Sequence, residues 1–157
     1  MTGVVVVDTN LLILLVVGSV SRTYIARHKR LGDYCEDDFV LLVELIGQFS
    51  DMVLVPHVLT ETGNLLVSGI DPPARGRVLD RFRTLITTTL ELAIPSAEGA
   101  RREEFGRLGL TDAVLLHLCG MRENGLDPTL ITADQGLADA ANAQGYAVID
   151  YKQEFQQ

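Results

Sequence analysis

The stretch Val4-Val5-Val6-Val7-Asp8-Thr9-Asn10-Leu11-Leu12 decides the fold. Four consecutive β-branched residues read as a strand buried on both faces, which is what the middle of a parallel sheet covered by helices requires. Asp8 ends the run abruptly. Further along, Met52 to Val55, Leu130 to Thr132 and Tyr146 to Ile149 are short apolar runs of the same kind, each separated from the next by helical periodicity. This alternation predicts an α/β fold, a three-layer α/β/α arrangement around a mostly parallel central sheet. With 157 residues and 47% apolar content, the chain can build one core without disulfide or metal staples, so residues 1–157 are expected to form a single domain.

Between the strands, Glu36 to Phe49 predicts a helix whose stripe is Phe39, Leu42, Val43, Ile46 and Phe49. A second helix is expected after Pro56, carrying Val58, Leu59, Leu65 and Leu66, and a third from Ala74 to about Leu90. Ser96 is expected to cap a polar helix ending near Gly109, and Thr111 to cap Asp112 to Asn124, stopped by Gly125. The last helix should run from Gln135 to Gln144 and stop at Gly145.

Several function classes are excluded by what is missing. Thirteen basic against 21 acidic residues give a net charge of −8, so the chain as a whole is no basic nucleic-acid coat, and only local patches can serve that purpose. Asp8-Thr9-Asn10 splits the oily N-terminal region into runs too short for a membrane span, and the first residues lack the basic start of a secretory signal, so a cytoplasmic protein is expected. Cys35 and Cys119 form no C-x-x-C pair and are expected to be buried or inert thiols. No G-x-G spacing, no Gly-Lys phosphate loop, no G-x-S-x-G elbow and no paired histidine motif occurs.

What remains is a set of carboxylates at strand and helix junctions: Asp8 after the first strand, Glu61 in the helix after Pro56, Asp112 opening a helix, and Asp134 after Leu130 to Thr132. Each alone is explained as a cap, a dipole partner or a solvated residue. Together they carry more weight. In an open parallel sheet, ligands bind beyond the carboxyl ends of the strands, so Asp8 and Asp134 are expected to share a crevice that the two helices reach with Glu61 and Asp112. Four carboxylates in one cleft repel one another unless a cation sits among them, and an all-oxygen donor set selects Mg²⁺ or Mn²⁺.

Val4-Val5-Val6-Val7-Asp8-Thr9-Asn10-Leu11-Leu12, Pro56 to Leu66 around Glu61, Leu108 to Leu116 around Asp112, and Leu130 to Ala141 around Asp134 resemble, in order, the four acidic segments of the PIN-domain nucleases, a family that includes the VapC-like toxins. Gly145-Tyr146-Ala147-Val148-Ile149-Asp150 is similar to its closing strand. The resemblance implies a Mg²⁺- or Mn²⁺-dependent endoribonuclease hydrolysing RNA phosphodiesters. It implies Asp8, Asp112 and Asp134 as metal ligands, Glu61 as a further ligand through water or as the residue orienting the attacking water, and Asn10 and Thr132 as their hydrogen-bonding neighbours.

For toxin members an antitoxin protein is the implied partner. Here the chain between Asp8 and Glu61 is longer than in compact toxins, with residues 19–50 as a helical insertion and 19–35 fitting a substrate-specificity loop or an oligomer contact. Arg22, Arg27, Lys29 and Arg30 fall within nine residues and suit either RNA phosphates, with Tyr24 placed to stack a base, or a solvated surface. Arg75, Arg77, Arg81 and Arg83 read instead as a solvated helix surface. Two other readings stand beside the nuclease: a non-catalytic RNA- or partner-binding module on the same fold, and phosphoaspartyl chemistry at Asp8, for which Asn10 replaces the second acid that such phosphatases carry.

Overall fold

The computed structural model describes residues 3–122 and 125–155. Five parallel strands form one sheet: β1 (Val4–Val7), β2 (Asp51–Leu54), β3 (Leu90–Glu91), β4 (Pro128–Thr132) and β5 (Val148–Asp150), in the spatial order β3-β2-β1-β4-β5. The expected α/β class and helix-flanked parallel sheet are both present. β1 lies at the centre, paired on both sides, and Val5, Val6 and Val7 are fully buried. The chain leaves β1 toward β2 and β3, then returns to β4 and β5. This makes the gap between β1 and β4 the topological switch point, where a parallel sheet opens its binding crevice.

Asp8 caps α1 (Thr9–Val20), its carboxylate accepting the Leu11 N–H. This helix is apolar on nearly every side, with Leu11, Leu12, Ile13, Leu14, Val16 and Val17 buried. Such a helix is stable only when covered all round. It lies between the sheet and the helices α2 (Glu36–Ile46), α3 (Pro56–Leu65) and α4 (Pro72–Thr88), and packs on all three. At Gly18 the ring of Phe39 from α2 comes so close that a Cβ would stand 2.3 Å from it, so no larger residue fits without moving the helices apart. The other group comprises α5 (Ser96–Ala100), α6 (Phe105–Leu108), α7 (Leu110–Cys119) and α8 (Gln135–Ala143), with the short α9 (Tyr151–Phe155) following β5. Among the described residues no helix is long and apolar enough to cross a membrane.

The departures from expectation have local causes. β2 ends at Leu54 because Val55 precedes Pro56, the first residue of α3, and a residue before proline is pushed into the extended region as the helix lead-in. α4 stops at Thr88: Thr84, Thr87 and Thr88 turn their hydroxyls back onto carbonyls of the preceding turn, and the extended Thr89 delivers Leu90 and Glu91 to the sheet edge as β3. In α2 the buried stripe is Phe39, Leu42 and Leu45, while Val43 is exposed. The stretch expected as one polar helix from Ser96 is two short ones, since it offers too few apolar residues to hold a long helix on the core.

Gly109, at φ 89°, leads into α7, and Thr111 lies inside that helix with its hydroxyl used elsewhere. α7 ends at Cys119, and the expected terminus at Asn124 lies outside the described residues. The stop after α8 is as expected: Gly145 takes φ 73°, and the N–H groups of Gly145 and Tyr146 bond Asn142 and Ala141. Tyr146 thereby belongs to the helix-end turn, which moves β5 to Val148–Asp150. Both cysteines are free; Cys119 is buried, its thiol pushed up to about 12 by burial, whereas Cys35 is exposed.

The segment between α1 and α2 opens with a 3-10 turn at Arg22–Arg27 and is pinned by His28, which is 2% exposed. Its Nδ1 accepts the Arg30 backbone N–H at 3.0 Å, so Nε2 carries the proton and donates to the Leu66 carbonyl at 2.8 Å. Burial, opposed by the carbonyl contacts, lowers the pKa from 6.5. A histidine whose folded pKa is depressed contributes stability in full above about 6.5, and that stability is lost as the pH falls below this value and the unfolded chain takes up the proton first. The melting-temperature advantage of the native protein over His28→Asn should therefore shrink between pH 7.5 and pH 5.5. An advantage independent of pH would show that His28 is not held neutral.

Candidate active site

A cleft of about 430 Å³ opens at the carboxyl ends of β1 and β4, and all four sequence-expected acids, Asp8, Glu61, Asp112 and Asp134, line it. The sheet and the helix starts bring them there: Asp8 and Asp134 follow adjacent strands and each caps the helix that leaves the sheet. Asp112 sits in the first turn of α7 and Glu61 in α3.

Asp8 is 8% exposed. One of its oxygens accepts the Leu11 N–H at 3.3 Å; the other accepts the Ala133 N–H at 3.2 Å and the Thr132 hydroxyl. Burial raises its pKa and these hydrogen bonds pull it back. Thr132, fully buried, donates to Asp8 and accepts the Asp134 backbone N–H at 3.0 Å, so one hydroxyl ties the two strand-end acids together. Glu61 is held at both oxygens, by Thr9 at 3.0 Å and Thr111 at 2.7 Å. Asp112 is the acid that carries the strain of the cluster. Burial first, then Asp134, Asp8 and Glu61, raise its pKa from 3.8 to about 7.

The cleft offers hard oxygen donors, the kind a divalent cation takes. Its acids raise the proton affinity of Asp112, and Asn10, which also lines the cleft, has a buried side-chain oxygen with no hydrogen-bond partner. Among the described residues, no group of three or more His, Cys, Asp or Glu side chains is arranged to hold a metal ion. An open carboxylate cleft of this kind suits Mg²⁺, which keeps several of its waters, better than an all-protein cage does.

The basic residues separate. Arg30 lines the cleft, but Arg22, Tyr24, Arg27 and Lys29 do not. Arg22 lies over the Phe39 ring at 5.8 Å, and Tyr24 is engaged by Arg77, which covers its ring at 5.9 Å and donates to its hydroxyl. That face of Tyr24 is taken by Arg77, where the sequence suggested a stacked base. The lining residues not anticipated from the sequence include Asp33, Tyr34 and Lys152. Burial, with Asp8, Asp33 and Asp38 behind it, lifts the Tyr34 phenol well above its ordinary range, so it stays a neutral hydroxyl. Lys152 follows β5 by two positions and brings a second cation to the rim.

No family model, curated protein or solved structure gives a significant match to this chain.

Proposed function

We propose that the chain is a PIN-type endoribonuclease that hydrolyses RNA phosphodiester bonds with Mg²⁺ or Mn²⁺. The observation carrying this reading is the convergence of Asp8, Glu61, Asp112 and Asp134, which span 126 positions of sequence from 8 to 134, on one cleft at the switch point of the sheet. Asp8, Asp112 and Asp134 would hold the cation. When bound, it supplies Lewis-acid polarisation of a phosphate oxygen and acidifies a water for in-line attack.

The protein's own groups do the positioning. Glu61, clamped between two threonine hydroxyls, is fixed in direction and suited to orient the attacking water. Thr132 holds the Asp8 carboxylate and the Asp134 backbone at one hydroxyl, which fixes the Asp8 side chain beside the start of the turn that carries Asp134. Arg30 and Lys152 at the rim offset the phosphate charge that the acids would otherwise repel. A toxin role within a toxin–antitoxin pair is one setting for such an activity, and a small reading frame immediately upstream is the genomic sign of it.

The test joins binding to turnover. A ligand bound only by the folded state at a hundred times its Kd adds about 2.7 kcal/mol, which for a domain of this size raises the melting temperature by roughly 5–10 °C. Manganese should do this at millimolar concentration or below, and the same protein should cleave single-stranded RNA in manganese and not in EDTA. RNA binding with no cleavage under any metal would favour the non-catalytic module, and absence of both the shift and the cleavage defeats the proposal.

A further inference from the structure

Eight of the thirteen basic residues lie in two stretches, 22–30 and 75–83. Between Asp8 and Asp33 there is no carboxylate at all, and α4 contains only Asp80. On a chain of net charge −8 this is a strong segregation. The fold then joins the two stretches. Arg77 and Arg81 are four apart on α4 and so share a face; Arg77 reaches Tyr24 and Arg81 donates to the Ser19 hydroxyl at 3.1 Å. Arg27 and Arg77 border the same hollow of about 190 Å³. Arg83, by contrast, turns to Asp80 on another flank.

The second half of the observation is continuity with the acid cleft. Arg30 lines that cleft and stands three residues from Arg27, a span of at most ~10 Å of chain. The intervening backbone is fixed, not free: His28 is buried and bonded at both ring nitrogens, and Lys29 donates its backbone N–H to Ser68 at 3.1 Å. A row of basic side chains, set on a fixed backbone between Arg27 and Arg30, thus leads from α4 toward the carboxylates. Arg27 has one opposing acid, Asp71, at 3.9 Å with both side chains largely exposed. Such a pair is weak and readily exchanged for a phosphate.

We propose that the face formed by Arg27, Arg77 and Arg81, continued by Lys29 and Arg30, is the track along which the phosphate backbone of a single RNA strand docks on its way into the cleft. This deepens, and rests on, the nuclease reading of that cleft. The contacts are to phosphate and are sequence-independent, so the track supplies affinity and direction while any base preference is set elsewhere.

The experiment measures binding apart from chemistry. Fluorescein-labelled single-stranded RNA is titrated with protein in EDTA across a range of KCl concentrations, for the native chain, Arg27→Gln/Arg81→Gln, Arg27→Lys/Arg81→Lys and the remote control Arg101→Gln. Each cation withdrawn from a phosphate should lower the slope of log K against log salt by about 0.7, so the glutamine double variant should fall short of the native slope by about 1.4 and bind on the order of tenfold more weakly at 0.1 M salt. The lysine double variant, which keeps the charge, should recover most of the slope, and Arg101→Gln should match the native chain. Parallel melting curves exclude misfolding as the cause, and if the glutamine pair does not fold, the single variants Arg27→Gln and Arg81→Gln, each expected to lose about 0.7 of the slope, repeat the test.

An unchanged slope in a protein that still cleaves RNA overturns the track and leaves the nuclease reading intact. A reduced slope with no metal-dependent cleavage by the native chain upholds the docking face and removes the nuclease. Binding of an acidic peptide through these arginines, with no RNA binding, overturns the track in favour of a protein-docking face.

Discussion

Asp134→Asn should fold normally, melt no lower than the native protein in EDTA, and lose on the order of a thousandfold in metal-dependent RNA cleavage. The separation of the two effects follows from the geometry. Asp134 has a structural duty, accepting the Leu137 N–H at 2.9 Å as the cap of α8. Asparagine caps a helix about as well as aspartate, with the same oxygen in the same place. What the substitution removes is the negative charge facing Asp8 and Asp112, and with it part of the attraction for a cation. The parallel variant Asp8→Asn is less clean. Both Asp8 oxygens accept, one from Leu11 and the other from Ala133 and Thr132. An amide has one acceptor, so its NH₂ must face a backbone N–H in a buried position, at a cost of about 1–3 kcal/mol. Asp8→Asn should therefore lose both activity and stability, and only Asp134→Asn tells a ligand from a cap. Initial rates on a fluorogenic single-stranded RNA in manganese, beside a calorimetric melt, give the comparison. An Asp134→Asn protein that cleaves at the native rate would remove Asp134 from the machinery.

How far the site was legible in the sequence differs residue by residue. Asp8 and Asp134 announce themselves because each follows a β-branched or apolar strand and opens a helix, and a parallel sheet sends all such positions to one edge. The same rule, applied to the closing strand, would have found Lys152, which lies just past Asp150; α9 is too short to show a periodicity, so the position passed as tail. Glu61 has no local sign. Its environment consists of hydroxyls 52 and 50 positions away, and no window of sequence contains Thr9, Glu61 and Thr111 together. Thr111 looked like a cap because caps are local, yet its hydroxyl serves another helix while Gly109 leads into α7. Tyr34 reaches the cleft through an irregular segment whose path depends on the buried His28, a residue that reads as unremarkable. Among the fold elements, β1 was plain from its composition, whereas β3, two residues long, exists only because a run of threonines ends α4 beside an open sheet edge.

Asp112→Asn should make the metal-free protein more stable at pH 8, by on the order of 1–2 kcal/mol or roughly 3–6 °C, and should reverse that ranking when manganese is added. Asp112 is held at about 7 by burial, then by Asp134, Asp8 and Glu61. An acid whose folded pKa exceeds its unfolded value of 3.8 keeps its proton longer when folded. Its penalty is absent at pH below 3.8, grows as the pH rises toward 7, and is complete above that. The side chain is only partly buried, so solvent screening reduces the nominal penalty, and losing a first-turn acid from α7 gives back about 0.3–1 kcal/mol of dipole attraction. Burial and the repulsion from three neighbouring acids together still outweigh that loss. At pH 4.5, where most of the penalty is gone, the variant should show little advantage. In saturating manganese the native protein gains the binding free energy of the ion, while the variant, with a neutral amide in its place, gains far less. Melting curves at pH 4.5 and pH 8, each in EDTA and in manganese, contain every comparison. A variant less stable than the native protein in EDTA at pH 8 would mean that the four carboxylates do not strain one another, and the electrostatic case for a cation among them would fail.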